Sequence, residues 1–258
     1  NISKYPIFAS IDADSILEKD SLIKLTMSFV EKPETIAVGG IVRIANGSII
    51  KNGELIRMNI PKSKIAIFQI VEYLRAFLTG RASLSKLHSI LIISGAFGAF
   101  NKKAVINCGG YKVNIIGEDM EIIVRLHKTM KDQKKKYNIE FLAEPICWTQ
   151  APESFKDLRT QRRRWQIGLF DTLLSYKSMI FNPKYGTIGM ISLPYYWIFE
   201  LLGPIIEFLG YIFIPLAYLF GLLHFDMFII YLIIAFLLGC TLSMGSILLE
   251  QVSFCKYS

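Results

Sequence analysis

The sequence predicts an α/β domain followed by transmembrane α-helices, and three observations carry that expectation. A β-prone run, Tyr5–Asp14 (YPIFASIDAD), ends abruptly in two carboxylates, Asp12 and Asp14. From there to about residue 186, strand-like and helix-like segments alternate with charges mixed among them, as in a soluble α/β layer. Beyond Gly186 the chain is nearly uncharged until about Leu249. The 258 residues therefore divide into 1–153, an α/β part, 154–186, a basic helix with an amphipathic continuation, and 187–258, a membrane region with about two spans.

Along the chain, Glu18–Glu31 sets Leu22, Leu25, Phe29 and Val30 at helical spacing and stops at Pro33. Thr35–Ala45 reads as a strand, with Asn46-Gly47 as the turn after it. Pro61 opens a helix to about Thr79, with Ile65, Phe68, Val71, Leu74 and Leu78 as its apolar stripe. Ser89–Ser94 reads as a short buried strand leading into SGAFGAF at 94–100; a short helix follows from Asn101, halted by Gly109-Gly110. Gly117-Glu118-Asp119 opens a helix through His127, Lys131–Lys136 is a solvated connection, and Tyr137–Ala143 is a strand. Pro145 and Pro152 bracket a loop containing Trp148, and Ser154 with Asp157 caps the next helix. That helix carries Gln161-Arg162-Arg163-Arg164-Trp165, and Ile167–Phe181 continues it along the membrane surface.

The net charge of +8 concentrates in Lys128–Lys136 and Lys156–Arg164. Such clusters are solvated faces, or they meet substrate phosphates or anionic headgroups. No recognition fold or basic–aromatic repeat accompanies them, which argues against nucleic acid. Cys108, Cys147, Cys240 and Cys255 show no CxxC spacing. That speaks against a zinc site or disulfide framework and fits a reducing compartment.

Four groups of residues carry chemistry. Period-two alternation sends Asp12 and Asp14 to one side of their strand end. Adjacent carboxylates repel unless a cation sits between them, and hard oxygen ligands suit Mg²⁺ or Mn²⁺ holding a diphosphate; the alternative is an Asp-rich helix cap. Gly95, Ala96 and Gly98 leave room for backbone to approach a ligand, or for tight packing. Asp119 is either a general base projecting from a turn or an acid favoured at a helix N-terminus. Gln161, Arg164 and Trp165, three and four apart, share one helix face, while Arg162 and Arg163 point elsewhere. Arg forks onto phosphate oxygens and Trp stacks on a pyranose, so that face suits a diphosphate beside a sugar; a membrane-surface helix has the same composition. His88, His127 and His224 lie outside every cluster, which leaves no histidine for base work.

DAD at 12–14, SGAF at 94–97, GED at 117–119 and QRRRW at 161–165 follow one another in this order. Together they resemble the second half of a membrane-embedded, processive family 2 glycosyltransferase, the group of cellulose, hyaluronan and bacterial poly-N-acetylglucosamine synthases. QxxRW is the specific element, and the resemblance covers nearly the whole sequence. It implies an N-terminally incomplete GT-A (Rossmann-like) domain and an inverting, metal-dependent transfer from a nucleotide sugar, usually UDP-linked, to a growing polysaccharide or lipid-linked acceptor. Asp14 would ligate Mg²⁺ or Mn²⁺, with Asp12 at the metal or the nucleotide ribose. Asp119 would be the base and Glu118 its neighbour. Gln161, Arg164 and Trp165 would hold the diphosphate and the acceptor end, and Gly95, Ala96 and Phe97 would line the acceptor site. Gly117 stands where many members carry Thr or Glu. The half with the uridine-contacting acid is missing, so this stretch alone is expected to bind nucleotide poorly. The rival readings are a single transfer onto a lipid carrier and an inactive membrane scaffold.

The apolar region holds two uncharged runs, Phe208–Phe225 and Met227–Leu249, each close to a span in length. Ile188–Gly203, with Pro194 and Glu200, reads as interfacial or re-entrant, and Glu200 and Glu207 sit at headgroup level or serve a function. The link Leu223–Asp226 has no Lys or Arg, so the positive-inside rule puts the catalytic part and the Lys256 end in the cytosol of an integral membrane protein.

Overall fold

In the structure, a computed structural model, residues 4–254 are described; Cys255 and Lys256 lie outside them. The expected α/β class is what is found. Strands β1 (Ile7–Ile11), β2 (Ile16–Leu17), β3 (Thr35–Ile44), β6 (Phe97–Asn101) and β7 (Asn138–Thr149) form one mixed sheet in the order β1-β6-β3-β7-β2. β3 pairs parallel to β7, and the other neighbours are antiparallel. β3 is buried along its whole length, as a central strand flanked on both faces must be. β4 (Ile49–Lys51) and β5 (Glu54–Arg57) make a separate hairpin. Its turn is Asn52-Gly53, both at positive φ, which is the pair that matches the twist of a two-residue hairpin.

Several elements differ from the sequence expectation. Helix α1 is Ser21–Glu31, and its buried line is Ser21, Leu25 and Ser28, while Leu22 and Val30 face outward. Of the expected stripe, Leu25 enters the core and Phe29 packs against it, and the small residues Ser21 and Ser28 share that inner face in place of Leu22 and Val30. Helix α2 (Lys64–Leu74) buries Ala66, Gln69, Ile70 and Leu74, and the expected stripe member Phe68 is 76% exposed. Its surface is apolar almost all round, so spacing alone did not select the face. The helix continues in wide π turns over Arg75–Arg81 and ends in α3 (Ala82–Lys86). Residues 89–94 are not a ladder strand. They run extended beneath the sheet, with Ile93 over the paired glycines Gly39 and Gly98, where an added Cβ would meet Ile93 Cγ2 at 2.7 Å.

The ladder strand is instead the second half of SGAFGAF, and α4 (Lys102–Asn107), capped by Asn101, follows at once. Helix α5 (Glu118–Asp132) outruns His127 by more than a turn. β7 continues through the expected Pro145 loop, because the register slips between Gly40 and Ile41 of β3 and no ladder N–H is demanded of the proline. Trp148 is thereby a fully buried strand residue, its Nε1 donating to Glu18 Oε1 at 2.9 Å.

Helix α6 (Phe155–Ser175) starts at the expected Ser154 cap, whose Oγ accepts from Asp157 N, and runs unbroken through the basic stretch. A bent helical stretch, α7 (Ile188–Leu201), is joined at 41° to α8 (Gly203–Leu219), and the pair together is apolar enough for one broken span or re-entrant loop. The run expected to reach Phe225 stops at Leu219, followed by a turn with Gly221 at positive φ. Helix α9 (Phe225–Ser253) is long and apolar enough to cross a membrane. Its last turns return to the sheet: Glu250 and Arg43 of β3 form a buried ion pair at 2.7 Å, with the guanidinium between Trp148 and Phe254.

Candidate active site

The site lies at one end of the sheet, where β1 stops and SGAF turns into β6. Asp12 N donates to Ala96 O at 3.3 Å, so the first carboxylate sits directly beside the small-residue turn. Gly95 is the hinge of the arrangement. A Cβ there would lie 3.6 and 3.7 Å from the two Asp12 carboxylate oxygens and 3.9 Å from Asp119 Cβ. The residue thus separates two acids that are far apart in sequence. A cavity of about 40 Å³ opens here, lined by Ser10, Asp12, Ser94, Gly95, Glu118 and Asp119, with Tyr111 at its wall.

The electrostatics agree with that convergence. Burial, then the carboxylates of Asp14 and Glu118, push Asp12 above the usual carboxylate range, and Arg164 opposes them. Three acids and the arginine of QxxRW therefore share one field. Asp119 is pushed up mainly by burial, against the Met120 amide, which donates to its Oδ1 at 2.8 Å, and against the Arg81 guanidinium. Tyr111, which hydrogen-bonds Ser10, is pushed up by burial to about 12 and stays a neutral phenol.

Two features hold α5 and α6 around this point. Gly117, the N-cap of α5, meets Gly168 of α6 backbone to backbone: a Cβ on either would stand 2.7–2.9 Å from the other's Cα. A Thr or Glu at position 117 would collide here, so the departure at Gly117 is matched by a second glycine across the contact. One turn further, Glu121 is fully buried and accepts from Tyr176 Oη at 2.5 Å, Arg125 at 2.9 Å and Lys112 at 3.0 Å. Burial raises its pKa, but these three donors outweigh that and hold it below the usual value. Arg125 also donates to the Cys108 and Gly110 carbonyls, which ties the Gly-Gly stop to α5.

The structure brings Asp12, Gly95, Glu118 and Asp119 around one cavity, and sets Asp14 and Arg164 in the field of Asp12. It does not bring Ala96 and Phe97 with them: their side chains belong to the hydrophobic core. Gln161 is half-buried with Oε1 enclosed and unpartnered, and Trp165 is 47% exposed. Arg162, expected to point elsewhere, lies over the Trp165 ring at 4.6 Å and forks onto Glu72 of α2 at 2.5 and 2.6 Å. Sequence reasoning expected the helix that begins with α2 but gave it no part in the site, and it did not expect the π turns. Tyr73 lies in the field of Arg162, Arg81 and Asp14, and Arg81 in that of Asp119. An EY pair followed by two arginines within one apolar helix was the available signal.

A mixed sheet presenting an acid pair at a strand end, with a second acid at a helix N-terminus beside it, is the layout of a GT-A-type glycosyltransferase. The chain belongs to glycosyl transferase family group 2, whose family model matches residues 7–244. Poly-beta-1,6-N-acetyl-D-glucosamine synthase of Staphylococcus aureus (strain COL) is 28% identical over 172 residues, 67% of this chain and 37% of that protein. The synthase of the same name from Staphylococcus epidermidis (strain ATCC 35984) matches over the same length at 28%. The chain therefore spans 37% of the length of these curated relatives. Among solved structures, mannosyltransferase PcManGT from Pyrobaculum calidifontis, in complex with GDP-Man and Mn²⁺, aligns with a TM-score of 0.46 at 16% identity, covering 75% of this chain and 45% of that one.

Proposed function

We propose that the protein is an inverting, metal-dependent glycosyltransferase that moves a sugar from a UDP-sugar donor to a growing polysaccharide at the cytosolic face of a membrane. The observation that supports this most is the placement of Asp12 and Asp119 on either side of Gly95, with Arg164 in the field of Asp12.

Asp119 takes the proton of the acceptor hydroxyl. Burial makes its carboxylate more basic than a free aspartate, which favours proton transfer near neutral pH. Glu118 adds negative charge at the same helix start, and Gly95 leaves the room that a sugar hydroxyl needs between the two acids. On this reading Arg164, whose charge acts on Asp12, holds phosphate oxygens, and Gln161, whose Oε1 is enclosed without a partner, serves the same diphosphate side. Trp165 offers a half-open ring, braced on one face by Arg162, for stacking on the acceptor end.

The donor set also fits a divalent metal. Asp12 and Asp14 are hard oxygen ligands, and burial together with the repulsion from Asp14 raises Asp12, a carboxylate pair that a divalent cation would relieve. When bound there, Mg²⁺ or Mn²⁺ neutralises the charge of the departing diphosphate. The apolar helices α7 to α9 suit a lipid bilayer beside the site, and α9 docks on the sheet through Glu250 and Arg43.

The test separates binding from chemistry. Asp119→Asn keeps shape but removes the proton acceptor, so transfer falls by about 10²–10⁴-fold while UDP binding survives. Arg164→Ala weakens UDP binding as well. Calorimetry with UDP beside a radiolabelled transfer assay, on full-length protein in membranes, reads both. Wild-type turnover in Asp119→Asn would remove Asp119 from the base role.

A further inference from the structure

The cavity beside Asp119 is small. Its volume of about 40 Å³ admits a hydroxyl group but not a sugar ring, so an acceptor that reaches Asp119 keeps its ring outside and rests its neighbouring oxygens on the rim. Three of the lining side chains, Asp12, Glu118 and Asp119, are carboxylates, which accept hydrogen bonds and donate none when ionised. The donors among the lining side chains are the hydroxyls of Ser10, Ser94 and Tyr111. Ser94 is engaged locally, its Oγ accepting from the Ala96 amide at 3.4 Å. Tyr111 is 37% exposed, so it stands at once in the cavity wall and in solvent, where a sugar arrives. Its hydroxyl bonds that of Ser10, and burial keeps the phenol protonated. Two hydroxyls bonded to each other use one proton between them and leave one to donate outward.

The fold also fixes where the phenol sits. Gly109 and Gly110, both at positive φ, turn the chain away after α4, a conformation glycine adopts without strain. The Tyr111 ring then meets Phe100 of β6 edge-on, with centroids 6.2 Å apart and planes at 78°. Helix α5 holds the chain on either side of it: Arg125 donates to the Gly110 carbonyl, and Lys112 pairs with Glu121 at 3.0 Å. The first turn of that same helix presents Asp119. Phenol and carboxylate are thus held on one clamped unit.

We propose that Tyr111, paired with Ser10, is an acceptor-binding residue, its hydroxyl bonding an oxygen of the acceptor sugar next to the one that Asp119 deprotonates. This rests on the reading of Asp119 as the base. Without that bond the acceptor leaves the cavity more often. Water then takes the place of its hydroxyl, gives its proton to Asp119, and the donor is hydrolysed to free sugar and UDP.

The experiment measures how radiolabelled donor divides between polymer and free sugar, on full-length protein in membranes, with the UDP-sugar from which the wild-type enzyme makes polymer. Tyr111→Phe keeps the ring on Phe100 and removes only the hydroxyl. It raises the ratio of free sugar to polymer by about 3–10-fold, the size of one neutral hydrogen bond, with UDP affinity and unfolding temperature unchanged. An unchanged ratio, with Asp119→Asn inactive, would overturn the proposal and leave the base reading standing. Weakened UDP binding in Tyr111→Phe would overturn it as well, by placing the phenol on the donor side. Full transfer in Asp119→Asn would end both.

Discussion

Gly168→Ala tests how far the site depends on the contact between α5 and α6. By intrinsic propensity the change is favourable, since alanine in a helix is worth about 1 kcal/mol over glycine. The structure predicts the opposite. The new Cβ would lie 2.7 Å from Gly117 Cα and 2.8 Å from Gly117 N, whereas ordinary contact begins at 3.4 Å. Both neighbours are backbone, which cannot swing aside as a flexible side chain can. The helices must therefore part by at least about 0.7 Å, and overpacking of this kind costs about 1–3 kcal/mol. That offsets the propensity gain and leaves stability level or reduced by up to about 2 kcal/mol. Turnover suffers more. Gly117 immediately precedes Glu118 and Asp119, and α6 carries Gln161, Arg164 and Trp165, so parting the two glycines separates the proposed base from the proposed donor-binding face. A displacement near 1 Å costs on the order of 10²-fold in rate. The assay pairs thermal unfolding with transfer in membranes, and Gly239→Ala in α9, where an added Cβ meets nothing within 4 Å, is the control. Wild-type transfer in Gly168→Ala would refute the reasoning.

Other expectations follow from single features. Excess EDTA abolishes transfer and Mg²⁺ or Mn²⁺ restores it; full activity in chelator would remove Asp12 and Asp14 from the metal role. Trp165→Ala shortens the product or stops synthesis, as sizing on a gel would show, because a stacking surface for the acceptor is lost; an unchanged length distribution would return the ring to packing. His127 is buried, its Nε2 donating to Ile90 O at 2.8 Å and its Nδ1 accepting from Tyr137 Oη at 2.7 Å, and burial lowers its pKa from 6.5 to about 4. The unfolded chain then binds the proton more readily, so stability is full above pH 6.5 and falls by about 3 kcal/mol on acidification toward pH 4. Chemical denaturation across that range measures the slope, which should disappear in His127→Gln.

The local features were legible in the residues themselves. The acid pair at a strand end, the Ser154 cap, the Gly109-Gly110 stop and the apolar C-terminal helix each depend on neighbours in sequence, through alternation, hydrogen bonding to nearby amides or length. The order of DAD, SGAF, GED and QRRRW was enough to suggest the family. Long-range closeness has no such signature. Gly95 gave no sign that it would lie between Asp12 and Asp119, nor Gly117 and Gly168 that they would touch, because a missing side chain reads the same in sequence whether it serves a turn, a packing contact or a ligand. The strand through Pro145 needed a bulge set by its partner, β3. Arg43 and Glu250, two ordinary charges 207 residues apart, became a buried pair only when α9 folded back onto the sheet. Sequence determined which groups can do chemistry, since that resides in the side chains. Tertiary structure decided which of them meet, because the sheet order places together strands and helix ends that the chain keeps far apart.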